Sequence, residues 1–138
     1  MHSLRGCAGA KVLLVEDNVT LRDLMQSILS SSGYVVVLAE DGTEALARFQ
    51  AEGPIDIVIT DLIMPGINGL ALADRLNESE PVKVLFISGS LEEVISVEGL
   101  VERGMDFLSK PFSAAILLER VKALLIGSEG PRLIIKWT

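Results

Sequence analysis

The sequence predicts an α/β domain, an open three-layer sandwich with helices covering both faces of one parallel sheet. Short β-branched apolar runs alternate with longer stretches of helical spacing over most of the chain, and no internal repeat competes with that period. The central run, Ile55–Asp61, is apolar on both faces, as strands are when helices cover both sides of a parallel sheet. Several runs also end on acidic, hydroxyl or amine side chains, and in such sheets ligands sit outside the carboxyl ends of the strands.

Each element has its own local reason. Met1–Ala10 has no period and reads as a flexible extension. Lys11–Val15 (KVLLV) is a first strand that runs straight into Glu16-Asp17-Asn18. Leu21, Leu24, Met25, Ile28 and Leu29 then follow helical spacing, with Asn18 as cap and Ser30–Gly33 as stop, which sets a helix over Val19–Ser31. Tyr34–Ala39 is the second strand. Asp41-Gly42 opens a helix with Ala45, Leu46 and Phe49 inward, ended by Gly53-Pro54. The central strand terminates at Asp61, before the Pro65-Gly66 turn. Gly69–Asn77 carries Leu70, Ala73 and Leu76 on one stripe, and Lys83–Ser88 (KVLFIS) is the fourth strand. Ser90 and Glu93 form a capping box for a helix over Leu91–Glu102, which Ser96, Val97 and Gly99 make the weakest of the set. Asp106–Ser109 is the fifth strand and leads into Lys110-Pro111. Ser113 then caps a last helix with Ile116, Leu117, Val121, Leu124 and Leu125 inward. The expected domain is 11–126, and Gly127–Thr138 reads as a second flexible extension, with an added edge strand or partner-binding segment as the alternative.

Composition narrows the function. Hydrophobic residues make up 49% of the 138, with few aromatics, so one aliphatic core is expected without disulfide or metal staples. A formal charge of −7 opposes attraction to nucleic-acid backbones or anionic lipid, so neither partner is expected. A single cysteine, Cys7, excludes a disulfide framework. No segment approaches the roughly 20 apolar residues of a membrane span. A soluble, cytoplasmic protein is the expectation.

In a doubly wound sheet the ends of the first, third, fourth and fifth strands meet over one crevice. Here those ends are Glu16-Asp17, Asp61, Ser88 and Lys110. Converging carboxylates are tolerable only with a cation present or with one acid protonated. Oxygen ligands without His or Cys favour Mg²⁺, with Mn²⁺ as the alternative. A phosphate on that metal would give Lys110 and the Ser88 hydroxyl partners among its oxygens, and Asp61, the central acid, becomes a candidate nucleophile.

These residues resemble the receiver domain of two-component response regulators and hybrid histidine kinases. Glu16-Asp17, Asp61 within DLIMPGING, Ser88-Gly89, Phe107 and Lys110-Pro111-Phe112 match it in order over Lys11–Ile126. The resemblance implies a flavodoxin-like (βα)5 fold with a five-stranded parallel sheet in order 2-1-3-4-5; the order is the known one for receivers. It implies that Asp61 accepts phosphate from the phosphohistidine of a histidine kinase or phosphotransfer protein. Asp17 and Asp61 would hold Mg²⁺, with Glu16 acting through water and the Ile63 backbone carbonyl completing the protein ligands. Ser88 and Phe107 would form the switch, and the surface of the helix Leu91–Glu102, the strand Asp106–Ser109 and the helix Ser113–Ile126 would meet an output partner, a fused domain or a second copy after phosphorylation. A cis bond before Pro111 is also implied. Two departures, Ser88 for the more usual Thr and Glu16 for Asp, keep the hydroxyl and the carboxylate.

Two other functions compete. One is a hydrolase that turns over an aspartyl-phosphate intermediate, but such phosphatases commonly place a second acid two residues after the nucleophile, where Ile63 stands. The other is a mononucleotide binder, which the acidic loop after the first strand disfavours. A phosphoacceptor switch that turns over no external substrate is the reading that uses all four of these strand ends.

Overall fold

The structure, a computed structural model, describes residues 9–64, 66–89 and 106–126. The helix expected over Leu91–Glu102, its capping pair Ser90 and Glu93, and the tail Gly127–Thr138 lie outside the described residues.

The described chain runs β1 (Lys11–Val15), α1 (Val19–Ser31), β2 (Val35–Ala39), α2 (Gly42–Ala51), β3 (Ile57–Asp61), α3 (Gly69–Ser79), β4 (Lys83–Ser88), β5 (Asp106–Ser109) and α4 (Ala114–Ile126). The strands form one parallel sheet in the flavodoxin-like order β2-β1-β3-β4-β5. One in-register row, Leu38–Leu14–Ile59–Leu85–Asp106, crosses all five strands. The next row is Ala39–Val15–Thr60–Phe86–Phe107.

Alternation of side chains sends successive rows to opposite faces and so builds two cores. Leu14, Ile59 and Leu85 pack with Met25 and Leu29 of α1 and with Leu117, Val121 and Leu124 of α4. Val15 and Phe86 pack on the other face with Ala45 and Phe49 of α2 and with Leu72, Ala73 and Leu76 of α3. All five residues of β3 are buried, as its central place requires.

Each helix starts where a side chain closes an orphan amide. Asn18 Oδ1 accepts from the Leu21 amide at 2.9 Å, Asp41 Oδ1 from Glu44 at 2.8 Å, Asn68 Oδ1 from Ala71 at 2.8 Å and Ser113 Oγ from Ile116 at 3.1 Å.

Some expectations need correction. Ile116, expected inward, is 40% exposed, and Leu24, on the helical spacing of α1, is 56% exposed. Met25 and Leu117, which belong to the same expected stripes, are buried, because one residue turns a helix by about 100° and the sheet selects one direction within a wide apolar stripe. Leu72, absent from the expected stripe of α3, is fully buried. β3 starts at Ile57 rather than Ile55, since the Asp56 amide already bonds the Lys11 carbonyl at 2.9 Å and its carboxylate accepts from the Lys11 amide at 2.8 Å. β2 starts after Tyr34, whose amide closes the end of α1 on the Leu29 carbonyl. Gly9 and Ala10, read as part of the flexible extension, are tied to the second strand's approach: Gly9 N–H donates to the Gly33 carbonyl and Val35 N–H to the Ala10 carbonyl, both at 2.9 Å. Among the described residues no helix is long and apolar enough to cross a membrane.

Candidate functional site

The register brings the acids together. Val15 of β1 pairs with Thr60 of β3, so the next residues, Glu16 and Asp61, stand side by side at the carboxyl ends of the two strands. Glu16 stays in the ladder through its amide, which donates to the Ala39 carbonyl at 3.0 Å, and its side chain is buried. Asp61 is buried at the end of β3, while Asp17 is exposed on the loop. One carboxylate oxygen from each of Glu16, Asp17 and Asp61 lies within 4.8 Å of the others.

Lys110 closes the site from β5. Its amide donates to the Ser88 carbonyl at 2.7 Å, which sets it beside the end of β4, and its Nζ lies 3.3 Å from Asp61 Oδ1. The peptide bond to Pro111 is cis. Ser88 is buried one residue beyond Ile87, the partner of Asp61 in the sheet. Ile63 is 59% exposed on the loop after Asp61. Phe107 is half-buried and packs against the core on the α2–α3 face. All the expected site residues except Phe107 therefore gather at the carboxyl ends of the strands, and Phe107 lies inside β5, three residues before Lys110.

The electrostatics follow from burial. Removal from water pushes the Glu16 carboxyl up to about 7; the nearby Asp61 charge adds to this, and the hydrogen bond from the Asn18 amide opposes it. Burial also raises Asp61, against the lowering effects of its hydrogen bond with Glu16 and of the Lys110 ammonium. Burial therefore favours keeping a proton within this pair. Glu16 Oε2 accepts from the Asn18 amide at 3.1 Å, whereas Oε1 is buried without a hydrogen-bond partner. A buried orphan oxygen on an acid that clusters with two further carboxylates makes a donor set suited to a small hard divalent cation, which would take charge from three acids that one ammonium cannot neutralise.

Sequence reasoning missed three supports. Arg22 Nη1 donates to the Glu16 carbonyl at 2.8 Å; its place one turn into α1 was visible, but its direction was not. Gly69 donates its amide to the Leu62 carbonyl at 2.8 Å and lies so close to β3 that a Cβ there would strike the Asp61 carbonyl oxygen. Gly42 at the start of α2 is pressed likewise by the Ile67 side chain. Both glycines brace the loop that follows Asp61. Beside that loop an open depression of about 410 Å³ is lined by Asp17, Glu40, Asp41, Thr43 and Ile67, among others.

Known proteins resemble this chain. The family model described as the response regulator receiver domain matches residues 12–122. The aerobic respiration control protein ArcA of Escherichia coli is 38% identical over 114 residues, covering 83% of this chain and 48% of that protein. The transcriptional regulatory protein CseB of Streptomyces coelicolor is 34% identical over 114 residues, with the same two coverages. The chain thus spans about half the length of these relatives. Among solved structures, the receiver domain from the hybrid histidine kinase CckA superposes with a TM-score of 0.71 at 36% identity, covering 84% of this chain and 99% of that one. The relatives are regulators and receivers, and they lend nothing to the hydrolase alternative. With the strand order, the acidic cleft and the family match in agreement, the chain belongs to the receiver domains of two-component response regulators.

Proposed function

We propose that Asp61 is the phosphoacceptor of this receiver. The observation that carries the reading is the convergence of Glu16, Asp17 and Asp61 within 4.8 Å, with Lys110 Nζ 3.3 Å from Asp61. An Asp61 oxygen attacks the phosphorus of a phosphohistidine on a sensor kinase or phosphotransfer protein; the new P–O bond forms as the P–N bond breaks, and the imidazole leaves with the electron pair. The transferred group is metaphosphate-like, with charge on its equatorial oxygens, so positioning and charge neutralisation supply the catalysis. Asp17, Asp61 and the Ile63 carbonyl would hold Mg²⁺ (or Mn²⁺), with Glu16 acting through water. Bound there, the ion would supply charge neutralisation for the phosphoryl oxygens. Lys110 meets one phosphoryl oxygen and the Ser88 hydroxyl donates to another.

The product is a switch rather than a turnover enzyme. Ser88 moves toward the new charge and the Phe107 ring follows, which biases the surface of β5 and α4 toward an output partner, a fused domain or a second copy. A cytoplasmic setting and a folded unit of about residues 11–126 go with this reading. Incubation with a small acyl phosphate and Mg²⁺ tests it. One base-labile phosphate per chain is expected, read by intact mass, and none in Asp61→Asn. Labelling that persists in that variant would move the acceptor elsewhere.

A further inference from the structure

Among the described residues β5 pairs with β4 alone, so its outer edge carries backbone groups that the sheet does not use. The Lys110 amide bonds the Ser88 carbonyl, and alternation along a parallel ladder therefore points the amide and carbonyl of Phe107 outward. Both outward groups are closed by one ion pair. The Phe107 amide donates to Asp106 Oδ1 at 2.8 Å, and Arg120 Nη1 donates to the Phe107 carbonyl at 2.8 Å. The same Nη1 lies 3.5 Å from Asp106 Oδ2, and the Asp106 side chain is only 3% exposed. Asp106 belongs to the sheet row that faces α4, while Phe107 belongs to the row facing the opposite core.

We propose that Asp106 and Arg120 clamp the peptide on either side of Phe107, and that Arg120 is a positioning residue for the switch. With its backbone gripped over the sheet edge, Phe107 responds through its ring, and any residual displacement of β5 is handed to α4 through the guanidinium. Charge-assisted hydrogen bonds suit this work, being shorter and stronger than neutral ones. The role of Arg120 in switching rests on Phe107 being the switch aromatic; the clamp itself rests on the bonds just described.

The test uses the full chain with fluorophenylalanine, the Phe107 signal being assigned by its loss in Phe107→Leu. Three quantities are read: labelling by a small acyl phosphate, hydrogen exchange of the Phe107 amide, and the Phe107 fluorine shift with and without beryllofluoride and Mg²⁺. In Arg120→Ala, acyl-phosphate labelling stays within about twofold of wild type, since Arg120 touches no reacting group. The Phe107 amide exchanges at least about tenfold faster, and the fluorine signal without beryllofluoride moves toward the position of the activated form. Arg120→Gln, which can still donate to the carbonyl, lies nearer wild type. Should Arg120→Ala fail to fold because Asp106 is left buried and unpaired, the double variant Asp106→Asn/Arg120→Ala removes that charge and is expected to give the same exchange and shift. Unchanged exchange and an unchanged shift in the folded variants would overturn the clamp. A wild-type ring that ignores beryllofluoride would instead overturn the switch reading, while the exchange comparison still decides the clamp.

Discussion

Ile63 occupies the position on which the lifetime of a phosphoryl group at Asp61 would turn. It is 59% exposed, although solvent exposure of a large apolar side chain brings no burial energy to the fold. An isoleucine there offers an incoming water no hydrogen bond and would hinder its approach to a phosphoryl group on Asp61. Asparagine is of similar reach and can hold that water. Ile63→Asn is therefore expected to lose phosphate several-fold to about tenfold faster, a barrier change of about 1.4 kcal/mol, with the melting temperature nearly unchanged. The decay of the labelled species by mass, after the acyl phosphate is removed, measures it. A variant that keeps its phosphate as long as wild type would show that something other than residue 63 limits the approach of water.

At the scale of elements, the meeting of β3 with α3 decides where Asp61 stands. Helix propensity alone makes Gly69→Ala stabilising by up to about 1 kcal/mol. Sterics oppose it, because the new Cβ would strike the Asp61 carbonyl oxygen and lie 3.0 Å from Leu62 Cα. Backbone on both sides cannot yield cheaply, and overpacking of this kind costs about 1–3 kcal/mol, so the steric effect wins. Gly69→Ala should melt earlier and, since a shift of about 1 Å at a reacting group can cost a hundredfold, accept phosphate more slowly than its stability loss explains. Stabilisation with full labelling would show the loop to be compliant. This close approach also marks the limit of what the chain's letters disclose. Strand ends were legible because Glu16-Asp17, Asp61, Ser88 and Lys110 each interrupt an apolar run, and parallel topology alone brings them together. The caps Asn18, Asp41 and Ser113 were legible because capping is local. Gly42 and Gly69 were not, because the room around a residue belongs to the tertiary structure. The inward faces of α1 and α4 were legible only as stripes, which took in the exposed Leu24 and Ile116 along with the buried Met25 and Leu117.

For the molecule as a whole, the acid cluster sets site chemistry against stability. The folded state binds the Glu16 proton more tightly than the unfolded chain does, its carboxyl being raised from 4.5 to about 7. That contribution is fully present below about pH 4.5, falls by up to about 1.4 kcal/mol per pH unit through the window between, and is gone above about pH 7. Burial raises Asp61 in the same direction. A divalent cation held by Glu16, Asp17 and Asp61 would reverse the balance, since it would need the carboxylates ionised and would bind only their folded arrangement. Ligand at a hundred times its dissociation constant stabilises by about 2.7 kcal/mol. Melting curves are therefore expected to show little effect of Mg²⁺ at pH 5.5 and a rise of several degrees at pH 8. In Glu16→Gln the metal-free protein should lose much of its decline between pH 5 and 7, while the gain from Mg²⁺ shrinks because one of the three acids no longer carries charge. An Mg²⁺ effect of equal size at both pH values in the wild type would mean that the cation does not compete with the buried proton, and that Glu16 stands outside its reach.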